Sequence, residues 1–90
     1  MNLEYILCAA IAFSIKNNES PIIIGGYRHG NCFDAAIKLG WEKRITQEEQ
    51  GFITSTGRFV GREEAKEIAR NAGQLIRESG FKKLISEDIY

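Results

Sequence analysis

Tyr5-Ile6-Leu7-Cys8-Ala9-Ala10-Ile11-Ala12-Phe13 is the stretch whose reading decides the fold. It is too short to cross a bilayer, which takes about 20 apolar residues in a helix. A secretory leader opens with cationic residues, yet Glu4 precedes this run and no Lys or Arg comes earlier. The stretch therefore reads as the centre of a long strand over 4–15, apolar on both faces through its middle and alternating near its end. Buried in this way it begins the fold, and the chain is expected to be cytoplasmic.

Working outward, Asn17-Asn18-Glu19-Ser20-Pro21 gathers polar turn formers around the chain's one proline. The β-branched Ile22-Ile23-Ile24 resumes as a strand, so 4–27 are expected to form an antiparallel hairpin. Gly25-Gly26 weakens or bulges that strand, where a backbone or a ligand can come close. Asn31 then reads as an N-cap with Asp34 three residues on. Cys32, Phe33, Ala36, Ile37 and Leu39 recur at helical spacing up to Gly40, which predicts a first helix over Asn31 to Leu39. Trp41 to Gln50 is polar and acidic and reads as a surface loop.

Phe52-Ile53-Thr54 and Arg58-Phe59-Val60 flank the turn-like Ser55-Thr56-Gly57 and predict a second, shorter hairpin. Ala65, Ile68, Ala69, Ala72 and Leu75 mark one face of a second helix, whose charged side chains mostly meet water. Gly61 stands where a side-chain cap would be expected. After Gly80 a short segment leads into Ser86-Glu87-Asp88-Ile89-Tyr90, a tail set either to dock on a neighbouring subunit or to close a site by pairing its acids with arginines. The fold class is α+β: a small antiparallel sheet of two hairpins packed with two helices, in a single domain over 1–90.

Twelve basic side chains balance twelve acidic ones, so nothing here coats a nucleic-acid polymer by charge alone. Cys8 and Cys32 lie far apart with one histidine in the whole chain, a pattern without metal-ligand spacing. Both cysteines sit in apolar runs and read as core thiols, with a disulfide as the alternative.

Two junctions stand out for chemistry: Arg28-His29-Gly30-Asn31 and Arg58-Phe59-Val60-Gly61-Arg62. Each sets arginine and glycine where a strand or turn enters a helix, and free N–H groups at a helix start attract anions. Arginine forks match phosphate or carboxylate oxygens. Arg28, Arg58 and Arg62 are the candidate anion ligands, with Arg58 and Arg62 placed so that their side chains can converge; the bland alternative is surface pairing with nearby acids. His29 is either a loop or capping histidine or a general base, with no nucleophile elbow, P-loop or carboxylate pair beside it. Phe59 reads as core, while Phe52 reads either as core or as an aromatic platform for a base.

The segments Ile6 to Ile11, Arg28-His29 with Asn31-Cys32-Phe33, Gln50 to Thr54, Arg58 to Val60 with Arg62 to Ala65, Ala72-Gly73-Gln74 and Leu84 to Tyr90 together resemble a set of short phage and prophage proteins. Among these the chain is similar to the first-described anti-Thoeris proteins, nucleotide sponges that sequester a cyclic ADP-ribose signal, some of which also hold cyclic oligonucleotides at separate sites. The resemblance implies a non-enzymatic, cofactor-free immune-evasion protein in the cytoplasm of an infected bacterial host. It implies a homo-oligomer, a dimer or higher, with pockets near subunit boundaries. It further implies a cyclic nucleotide as partner, with the arginines Arg28, Arg58 and Arg62 toward the pyrophosphate, an aromatic toward the adenine, and polar groups such as Asn31 and Thr54 toward ribose; His29 and Phe52 complete the expected ligand-binding set. The competing expectations are a structural protein whose arginines and acidic tail join subunits, and an enzyme that uses His29.

Overall fold

The first strand lies near the middle of a four-stranded antiparallel sheet, where its two apolar faces place it. In the computed structural model, which describes residues 3–13, 21–41, 46–77, 80 and 82–90, β1 (Ile6–Phe13), β2 (Ile22–Gly26), β3 (Gln50–Thr54) and β4 (Phe59–Gly61) run in the order β2-β1-β3-β4. Both predicted hairpins form, and pairing of β1 with β3 joins them into one sheet. The turn read over 17–20 and residues 14 and 15 of the first strand lie outside the described residues.

The register slips between Ile6 and Cys8. This bulge lets Ile6 and Ala9, three residues apart, both enter the core, which strict alternation would forbid. Leu7 is left exposed. The side chain of Gln74 takes the place of a neighbouring strand here: it accepts from the Ile6 N–H at 2.7 Å and donates to the Ile6 carbonyl at 2.9 Å.

Two helices cover one face of the sheet. In α1 (His29–Lys38) the buried residues His29, Cys32 and Ala36 follow helical spacing. The helix begins two residues earlier than expected, and Asn31 is not its N-cap. Arg28 holds the extended N-cap position, and the Asn31 carboxamide reaches back from the third helical residue to accept the Arg28 N–H at 3.0 Å. The asparagine still satisfies a free donor at the helix start, but from inside the first turn.

In α2 (Arg62–Asn71) Ala65 and Ala69 are buried against the sheet, with Glu63 and Glu64 in the first turn and Arg70 in the last, as the helix dipole favours. Gly61 is its N-cap and supplies no side-chain acceptor. Gly73 (φ 71°) turns the chain out of the helix, so Leu75 packs on the core from the segment beyond it.

Among the described residues of the expected loop before β3, Gln47–Glu49 form a 3₁₀ turn, and Gln50 already belongs to the strand; residues 42–45 lie outside the described residues. Phe52, Ile11, Leu84 and Val60 are fully or almost fully buried and form the centre of the core between sheet and helices. The tail lies on its own chain. Leu84 donates its N–H to the Arg62 carbonyl, and the fully buried Asp88 accepts from Arg77 Nε at 2.8 Å and from the Ile85 N–H at 3.2 Å. Among the described residues no helix is long and apolar enough to cross a membrane.

Candidate functional site

Three of the sequence-derived site residues come together. Arg28, at the N-cap of α1, and Arg62, at the first position of α2, line one cleft of about 420 Å³ with His29, Gln50, Ser86 and Glu87. The β1–β3 pairing brings the two helix starts to the same side of the molecule. The volume lies within the roughly 300–1,000 Å³ of small-molecule clefts.

Arg28 organises the tail that forms one wall. Its Nη1 donates to Ser86 Oγ at 2.8 Å and its Nη2 to the main-chain oxygen of Tyr90 at 2.7 Å. The guanidinium also lies 4.8 Å from the ring centres of both Tyr27 and Tyr90. The Tyr90 hydroxyl accepts from the Ala9 N–H and donates to the Tyr27 carbonyl, which locks the tail beside β1. Glu87 completes the wall, 3.5 Å from Arg28 Nη1. Its carboxyl is held below the usual range by its own main-chain N–H and the Ser86 hydroxyl, with Arg28 adding to the effect.

Arg62 is used only in part. Its Nη1 donates to the Leu84 carbonyl at 2.9 Å and its Nη2 to Gln50 Oε1 at 2.7 Å. Its Nε is buried and has no hydrogen-bond partner among the described residues. Burial lowers the arginine pKa and the charge of Glu87 partly restores it. A desolvated cation with an unused donor gains more from an arriving anion than a hydrated one does.

His29 is buried beneath the cleft, its ring edge-on to Phe52 with centres 5.1 Å apart. Its Nε2 lies 2.7 Å from the Gly51 carbonyl. A carbonyl only accepts, so Nε2 carries the proton and, in the neutral ring, Nδ1 is the basic nitrogen. Burial pushes the imidazole pKa below its ordinary value, the Gly51 bond opposes this, and Arg62 adds to the lowering.

The other candidates lie elsewhere. Phe52 has no exposed surface and belongs to the core. Asn31 caps α1. Arg58 does not converge with Arg62: its Nε and Nη2 donate to Glu4 at 2.9 and 2.7 Å, and its Nη1 to Glu64 at 3.2 Å. The separation follows from Arg58 lying before β4 and Arg62 after it, so the two side chains leave from opposite ends of that short strand. Thr54 is buried next to Arg58, and its hydroxyl and that of Thr56 both donate to Glu4 at 2.6 Å.

This second cluster makes a pH prediction. Arg58 first, then the two threonine hydroxyls, lower the Glu4 pKa from 4.5 to about 2. The folded state therefore prefers the ionised carboxylate, so its stabilising effect is complete above about pH 4.5 and is lost as pH falls toward 2. Replacing Glu4 by Gln is expected to flatten that part of a thermal-midpoint-against-pH curve. An unchanged acid limb would contradict this account.

Gln50, Ser86 and Glu87 were absent from the sequence-derived site. Glu87 carried a signal in the acidic tail, and Gln50 a fainter one, as a polar residue at a strand start beside Gly51. A second cleft of about 510 Å³ shares Gln50 and Arg62 and extends over Gly61 and Lys83, but Glu48, Glu63 and Glu64 make it acidic.

Residues 5–90 match a family model described as "Phage T4 y16D protein". No curated protein and no solved structure matches the chain.

Proposed function

The chain belongs to the phage T4 y16D protein family, and we propose that this phage protein binds and sequesters a small nucleotide-type anion in the Arg28–Arg62 cleft without cleaving it. A cyclic ADP-ribose isomer or a cyclic oligonucleotide is the proposed ligand, which would make the protein a sponge for a host immune signal. The observation that carries the reading is the charge imbalance of the cleft. Two guanidiniums face one carboxylate, and the buried Nε of Arg62 is left without an acceptor. A phosphate at this place would compete with Glu87 for Arg28.

Thermal unfolding against a panel of cyclic ADP-ribose isomers, cyclic di- and trinucleotides and their linear forms tests this. One cyclic ligand at about a hundred times its Kd should raise the midpoint by roughly 10–20 °C, and heating should release it intact. Arg62→Lys keeps the charge but loses the fork, and is expected to weaken binding at least about tenfold. Glu87→Gln removes the competing carboxylate and should tighten binding by up to about fivefold. No shift with any ligand, or release of an altered one, would refute the reading.

A further inference from the structure

The neutral hydrogen-bonding side chains around the Arg28–Arg62 cleft differ in what they have left to offer. The Ser86 hydroxyl accepts from Arg28 Nη1 at 2.8 Å and donates its one proton to Glu87 at 3.0 Å. His29, in its neutral form, holds its proton on the Gly51 carbonyl. Neither has a proton left for a ligand. Gln50 has two: its Oε1 accepts from Arg62 Nη2 at 2.7 Å, and its Nε2 has no hydrogen-bond partner among the described residues.

Arg62 fixes which way that carboxamide faces. A guanidinium has donors only, so the oxygen end of Gln50 lies against it and the –NH₂ end is turned away. The opposite rotation would set N–H against N–H between two half-buried side chains. Gln50 lines the cleft of about 420 Å³ and also its neighbour of about 510 Å³, with Arg62 beside it in both. The –NH₂ therefore stands at the boundary that the two clefts share. Unlike Arg62 Nε, its nitrogen is not sealed from solvent, so an arriving acceptor can reach it. The mount is rigid as well, because Gln50 opens β3, an inner strand paired with β1 on one side and β4 on the other.

We infer that Gln50 is a ligand-contacting residue of this cleft, whose carboxamide, oriented by Arg62, donates to an oxygen of a bound tetrahedral oxyanion such as a phosphoryl group. The inference rests on the anion-binding reading of the cleft and deepens it. Arginine charge alone attracts any anion. An –NH₂ held in one orientation adds a choice: it favours a ligand that presents an acceptor oxygen at this boundary. A ligand that presents an N–H or O–H there would set donor against donor, and both would go unpaired.

Sulfate is the probe, since it is tetrahedral and keeps its double charge across the neutral range. In NMR spectra of the wild-type protein it should move the Gln50 –NH₂ signals, assigned through bonds to the Gln50 backbone, downfield to a plateau. Gln50→Met keeps the length of the side chain and loses both donors. It should weaken sulfate binding about tenfold or more, with circular dichroism confirming that it folds. Sulfate that shifts the guanidinium signals of Arg28 and Arg62 yet leaves the Gln50 –NH₂ in place would overturn the inference. That holds even if Gln50→Met binds poorly, because Gln50 would then act only by holding Arg62. A folded Gln50→Met that binds sulfate like the wild type would overturn it equally. Both results leave the cleft an anion site, whereas no response of any cleft residue to sulfate would refute that reading and this inference together. Should Gln50→Met not fold, the wild-type spectra decide.

Discussion

Phe52→Ala is expected to lower the stability of this protein by about 4 kcal/mol, more than any other single truncation in the molecule. Phe52 is the largest side chain without exposed surface, and it lies where β3, β1 and both helices meet. Its loss removes a full aromatic burial and leaves a cavity that the paired strands are too constrained to close. A 90-residue domain holds roughly 5–13 kcal/mol in total, so much of the reserve would go. The ring also supports the edge of His29. Urea unfolding is the direct measurement. A variant of unchanged stability that had lost its ligand would make Phe52 a binding platform, against its place in the core.

Gly51→Ala follows, at about 3 kcal/mol. Its Cβ would be driven into the Val60 carbonyl of the paired strand β4 and within 2.7 Å of the Phe59 ring. The first obstacle is backbone, and it moves only if the β3–β4 pairing gives way. Loss of glycine's freedom in the unfolded chain favours the substitution by about 0.4–1 kcal/mol, too little to offset the collision. Gly30→Ala is the control. It lies on an exposed helical position with nothing within 4 Å of its added Cβ, and should stabilise by about 0.5–1 kcal/mol. Equal stabilities in the two variants, measured by denaturant unfolding, would contradict the close approach at Gly51.

The elements themselves were legible because their signals are local. Ile22-Ile23-Ile24, the Ser55-Thr56-Gly57 turn, and the spacing of Cys32 with Ala36 and of Ala65 with Ala69 each act within a few residues. The start of α1 was misread because Asn31 can cap from the N-cap position or from the first turn, and both satisfy the same kind of donor. The site was less legible, since its geometry depends on contacts far apart in sequence. Arg58 and Arg62 look alike in the sequence, and their separation depends on where Glu4 and Leu84 lie in space. Nothing near Arg28 announces that Ser86 and Tyr90 come to rest against it. The apolar run at Tyr5–Phe13 was read correctly as two-sided, and the structure shows one side covered by helices.

The placing of the tail against β1 has a consequence for how the protein is made. About 70 residues separate Phe13 from Leu84, and a ribosome adding about 5–20 residues per second takes roughly 4–14 s to synthesise them. Through that interval the Ala9 N–H lacks the Tyr90 hydroxyl, Arg28 lacks its clamp, and the cleft lacks a wall. The nascent chain therefore presents an uncharged, two-sided strand to the crowded cell well before the residues that complete its surroundings exist. The wall of the cleft is completed only once Ser86 to Tyr90 have been made and can pack against Arg28, so a chain cut short before Ser86 would have all four strands and lack that wall.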